Sequence, residues 1–138
     1  MRVLALADPA ALDGAFGALG GLPPHRTLRP AQTGMAMVRA RSGGTGARFN
    51  LGEMTVTRCA VTMDDGVVGV SYVQGRSLRH AEQAAIADAL LQLPDWHETV
   101  QAHLIQPLAR LHAERAERQA RVAAQTKVEF FTMVRGED

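Results

Sequence analysis

The spacing of apolar residues changes along the chain, and the changes mark its elements. Leu12, Phe16 and Leu19 fall four and three residues apart, on one face of a helix. Pro9 suits the first turn of that helix and Asp8 its cap. Gly14 and Gly17 weaken it, and Gly20-Gly21 with Pro23-Pro24 end it. From Thr27 the period becomes two. Ala36, Val38 and Ala40 alternate with Met35, Met37, Arg39 and Arg41, so a strand over 35–41 puts Arg39 and Arg41 on one face. A second strand is predicted over Met54–Met63, rich in Val and Thr, with Arg58 turned away from Thr57 and Cys59. Asp64-Asp65-Gly66 signals a tight turn into a returning strand over Val67–Gln74. Residues 27–32 offer a fourth strand to the same meander.

After Gly75 the pattern becomes helical. Ser77 is placed to cap a helix whose face is Leu78, Ala81, Ala85, Ala89 and Leu93, small enough for close approach to a sheet. Pro94-Asp95 restarts the chain, and Val100, Leu104, Leu108 and Leu111 begin a long helix that Pro107 kinks or splits. Glu114 with Arg118 and Glu117 with Arg121 stand four residues apart as ion pairs. From Ala113 to Gln125 the apolar residues are alanines and one valine, so this stretch is either solvated or lies on a partner. The end, KVEFFTMVRG, is apolar where chain ends are normally polar. It reads as an edge strand of the same sheet or as an extended segment added to another chain. The fold class is α+β: an antiparallel sheet of three to five strands flanked by an N-terminal helix and C-terminal helices. The 138 residues form one domain, with 127–138 as an interaction tail.

Charge and composition exclude more than they select. Lys+Arg is 15 and Asp+Glu is 14, so no overall field draws the chain to nucleic acid or to a membrane surface. The six aromatics are too few and too dispersed for a base-stacking platform. No apolar stretch approaches a membrane span, and Val3–Ala7 is too short for a signal-peptide core, which points to the cytoplasm. One cysteine, Cys59, rules out an internal disulfide and a cysteine-cluster metal site. Lys127 is the only lysine, so the positive charge is almost all guanidinium, suited to bidentate pairing with carboxylate or phosphate.

The candidate chemistry centres on the loop Gly43-Gly44-Thr45-Gly46-Ala47-Arg48. It lacks the spacing and the lysine of a Walker A loop, and it precedes a strand, where both that loop and a dinucleotide fingerprint precede a helix. Two readings stay open: a plain connector, or an anion cradle closed by Arg39, Arg41, Arg48 and Arg58. His80-Ala81-Glu82 copies half of a zinc deaminase signature, but the Pro-Cys-x-x-Cys half is missing and that activity is excluded. His80 and Glu82 are a polar-site candidate, although residues two apart on a helix do not face each other, which favours an exposed or capping histidine. His25, His97, His103 and His112 show no ligand spacing, so no metal site is expected. Cys59, in mid-strand, reads as an inert buried thiol.

Four segments taken together resemble the small G subunit, PhnG, of the bacterial carbon–phosphorus lyase system. They are GGTGARFNLGEMTVTR (43–58), DDGVVGVSYVQGR (64–76), HAEQAAIADALLQ (80–92) and VEFFTMVRG (128–136), and they cover nearly the whole chain in order. Ser77-Leu78-Arg79 departs from a more polar connection, and almost no leader precedes the first helix. The resemblance implies a cytoplasmic accessory subunit for phosphonate catabolism. Its partners would be the H, I, J and L subunits, chiefly I. With them it would convert ATP and an alkylphosphonate to ribose 1-phosphonate 5-triphosphate, releasing adenine. It implies no cofactor on this chain: ATP is a substrate of the complex, and an iron–sulfur cluster with S-adenosylmethionine belongs to a partner. The alternative is a purely structural adaptor with no ligand contacts. Under the resemblance Gly43, Gly44, Thr45, Gly46, Arg48 and Arg58 are candidates for contact with substrate anions. Val128, Phe130, Phe131, Met133, Val134 and Arg135 are expected at the partner interface, and the isolated chain is expected to self-associate.

Overall fold

A computed structural model of the chain describes residues 1–126; the expected interface of Val128, Phe130, Phe131, Met133, Val134 and Arg135 lies outside the described residues. Before the helix anticipated at Pro9, the apolar run at the N-terminus forms a helix of its own, α1 (Arg2–Ala5), which takes Leu4 fully out of solvent. In α2 (Pro9–Gly17) the Asp8 carboxylate accepts from the N–H groups of Ala10 and Ala11 at 3.2 and 3.1 Å. Such a cap contributes about 1 kcal/mol. Leu12 is buried, and Phe16 and Leu19 pack at the margin of the core.

Strands β1 (His25–Arg41), β2 (Arg48–Met63) and β3 (Val68–Gln74) form one antiparallel sheet in the order β1-β2-β3. The meander is as anticipated, but its strands are longer. Residues 27–32 and 35–41 are halves of a single strand, and β2 begins at Arg48, not at Met54. A register irregularity between Arg29 and Gln32, around Pro30, hides the continuity of β1; an edge strand tolerates the proline because its N–H side need not pair. Between Val38 and Arg39 the register slips again, and Leu51 is left as an extra residue on β2. The turn after Met63 follows its signal, with the Gly66 N–H on the Met63 carbonyl at 3.0 Å and Asp65 accepting from the Val67 N–H at 3.2 Å.

One face of β2 and β3 is covered by α3 (Leu78–Leu90), capped as expected by Ser77 accepting from the His80 N–H. Ala81, Ala84, Ala85, Ala87 and Ala89 are all fully buried, so much of what the helix turns inward is methyl groups, and it can approach the strands closely. Gly69 of β3 is where it touches: a Cβ there would lie 2.0 Å from the Ala85 carbonyl oxygen and 2.6 Å from the Ala89 nitrogen. The Ser71 hydroxyl donates to the Ala81 carbonyl at 2.6 Å and ties the same contact down. Leu78, expected on the apolar face, stays exposed in the first turn.

Two α3-side groups also occupy the outer edge of β3. Asp88 accepts from the Val70 N–H at 3.0 Å, and the Gln92 amide donates to the Val68 carbonyl at 2.9 Å. That edge is guarded; the outer edge of β1 has no such cover among the described residues.

The described residues finish with α4 (Pro94–Val100), a π-helical turn (Gln101–Ile105) and α5 (Gln106–Gln125), running on without leaving helical backbone angles. Pro107 therefore does not break the run of helical backbone. The widened turn ends just before it, so the missing proline N–H falls where the hydrogen-bond pattern is already changing. Val100, Leu104 and Leu108 reach the core and Leu111 does not, and from Ala113 onward α5 is exposed.

β3 pairs with β2 only from Val56 to Thr62. Beyond Val56, residues 35–41 and 48–55 therefore project as an arm with no third strand among the described residues, about 25 Å long at the usual strand rise.

Candidate functional site

The arm ends in the glycine loop, and the geometry gives each glycine a structural task. Gly43 and Gly44 take positive φ, at 57° and 81°, in the turn that reverses the chain. At Gly46 a Cβ would stand 2.7 Å from the Ser42 carbonyl oxygen. That oxygen accepts the N–H groups of both Thr45 and Gly46, which are thus committed inside the loop. Any capacity of the site for an anion therefore rests on side chains more than on a backbone cradle.

Those side chains are Arg39, Arg41 and Arg48. Arg39 pairs across the ladder with Asn50 and Arg41 with Arg48, so all three guanidinium groups leave the arm on one face, the arginine arrangement that alternation predicts. With Ala40 and Gly44 they line an open concavity of about 490 Å³. Arg41 donates to the Gly46 carbonyl at 3.1 Å; among the described residues none of the three meets a carboxylate, and Arg41 and Arg48 stand directly opposite each other. Like charges in that position destabilise a strand pair unless an anion lies between them.

Arg58 is not part of this group. It lies ten residues along β2, about 30 Å from Arg48, and lines a separate hollow with Gln32 and Tyr72, donating to the Gln32 side chain at 3.4 Å. The four-arginine closure expected from the sequence is therefore reduced to three.

His80 and Glu82 are not brought together either. His80 is buried, contrary to the exposed or capping position expected for it, because α1 packs against the start of α3. Its Nε2–H donates to the Leu4 carbonyl at 2.7 Å and satisfies a backbone acceptor in the core. Glu82 points to solvent. Nearby, Asp13 accepts from the Gln83 amide at 2.7 Å and pairs with Arg79, bonds that hold its carboxyl below the usual carboxylate range despite partial desolvation. These contacts link α2 to α3 and carry no chemistry.

Cys59 is buried as expected, its Sγ–H directed at the Arg29 carbonyl at 3.4 Å. Burial pushes its thiol pKa up, and the negative charge of Glu82 adds to the rise. In the folded protein Cys59 should resist a disulfide thiol reagent at pH 8 and react fully once the chain is denatured. Rapid labelling of the native protein would contradict that geometry. Among the described residues no three His, Cys, Asp or Glu side chains gather where a metal ion could sit, and no helix is long and apolar enough to cross a membrane.

The features sequence reasoning missed are apolar. Met35, Met37, Phe49 and Leu51 lie on the arm and are 62%, 51%, 45% and 63% exposed. The signal was present in the alternation of 35–41, but Phe49 and Leu51 were obscured by the bulge and by Gly52.

Comparison with known proteins places this geometry in context. Residues 1–136 match the family described as "Phosphonate metabolism protein PhnG". Over 138 residues, covering 100% of this chain and 88% of the relative, the sequence is 44% identical to the alpha-D-ribose 1-methylphosphonate 5-triphosphate synthase subunit PhnG of Rhizobium meliloti (strain 1021).

Proposed function

The chain belongs to the PhnG family of phosphonate metabolism proteins, and on that premise we propose that it is an accessory subunit of a multi-subunit synthase. The reaction is the displacement of adenine from ATP by an alkylphosphonate, giving ribose 1-phosphonate 5-triphosphate. The single observation that carries this reading is the full-length, 44% identity to a named subunit of such a synthase. In the fold itself His80 donates to a core carbonyl, Cys59 is buried, and Glu82 is exposed.

The partners in this reading are the H, I, J and L subunits, with I the principal contact, in the cytoplasm. The chain itself carries no cofactor. With one cysteine it lacks the ligands for an iron–sulfur cluster, so radical cleavage with S-adenosylmethionine falls to a partner.

The test is release of adenine from ATP and methylphosphonate. The chain alone should release none, the partner subunits without it should release little, and the full set should turn over. Turnover by the isolated chain, or full turnover in its absence, would overturn the accessory role.

A further inference from the structure

We infer that the β1–β2 arm is the element by which this chain docks into the nucleotide-holding subunit of the synthase, carrying Arg39, Arg41 and Arg48 to the substrate's phosphates. The inference rests on the accessory-subunit reading above and names its surface.

The first argument is the arm itself. Strands usually run about five or six residues, and a two-stranded ribbon on its own is at best marginal in water. β1 and β2 run 17 and 16 residues, and among the described residues their outer part has neither a third strand nor a helix against it. It nevertheless shows Met35, Met37, Phe49 and Leu51 to solvent from both strands. Apolar side chains gathered on a projection mark a surface that another protein covers.

The second argument is charge, which identifies what covers it. Over residues 25–63 there are Arg26, Arg29, Arg39, Arg41, Arg48 and Arg58 against Glu53 alone. At the tip, three guanidinium groups share one face with no carboxylate among the described residues, two of them directly opposed. An anion between them removes that repulsion and suits the paired donors of arginine. Exposed apolar side chains along the arm and a cationic end fit a partner that covers the arm and presents phosphate at its tip. The subunit that holds a triphosphate is such a partner. Among the described residues a second copy of this chain offers no cluster of carboxylates of the kind that would receive the tip.

The experiment uses the full chain co-expressed with its partner subunits. The F49D/L51D variant should keep the circular dichroism and melting temperature of the unaltered chain when purified alone, yet be lost from the complex. The R41A/R48A variant should assemble at normal stoichiometry, with adenine release lowered about tenfold or more, as expected for loss of charged hydrogen bonds in a site. Normal assembly of F49D/L51D overturns the docking arm. Full turnover by an assembled R41A/R48A complex overturns the reach of the arginines and leaves an adaptor. If the unaltered chain joins no complex, the subunit reading fails instead, and the arm with it.

Discussion

Replacing Gly69 with alanine should lower the melting temperature by roughly 10 °C, the equivalent of about 3 kcal/mol for a domain of this size. The added methyl would stand 2.0 Å from the Ala85 carbonyl oxygen and 2.8 Å from the Ala89 Cβ. Neither is the far end of a flexible side chain, so α3 as a whole must lift. Lifting it stretches the Ser71 hydroxyl from the Ala81 carbonyl and loosens the row of buried alanines. Gly14→Ala is the matched comparison. It sits inside α2 with nothing within 4 Å of a built Cβ, and there alanine should stabilise by about 0.5–1 kcal/mol through helix propensity. Thermal melts of the two variants test the claim, and equal shifts would mean that α3 does not rest on Gly69.

Leu104→Ala should cost about 3 kcal/mol, within the range for a large side chain deleted from a core. Leu104 is fully buried in the π-helical turn that joins α4 to α5. Leu111 lies two turns on, belongs to the same apolar pattern and is 51% exposed. Leu111→Ala should change stability by less than about 0.5 kcal/mol in the isolated chain. Urea unfolding separates the two. A loss at Leu111 as large as that at Leu104 would show that α5 packs more deeply than its exposure indicates.

The pair also shows how far the sequence can be read. A helical repeat of Val100, Leu104, Leu108 and Leu111 identifies a face, yet it does not say where along the helix the body of the protein stops. The same holds for the strands. Alternation located the arginines of 35–41 on one face, and the Asp64-Asp65-Gly66 signal located a turn, because both depend on neighbours in the chain. Strand length was hidden by Pro30, the Leu51 bulge and Gly52, local irregularities that interrupt the period without ending the ladder. The burial of His80 is illegible for a different reason. Its partner is a backbone carbonyl at Leu4, distant in sequence, on a helix too short to announce itself. The glycine loop was legible as a turn. Only the geometry showed that the Ser42 carbonyl takes two of its donors, and that Arg58 stands apart from the other arginines.

The unequal edges of the sheet set a limit on what the chain can build by itself. Strand addition needs a row of free backbone groups on each joining edge, and on β3 the Val70 N–H and the Val68 carbonyl are already taken by Asp88 and Gln92. An incoming strand that tried to pair along β3 would have to displace both side chains before it could make those two ladder bonds. The start of β3 is thus closed to a further strand by the same helix side that closes its face, and α3 fixes both where the sheet packs and where it stops.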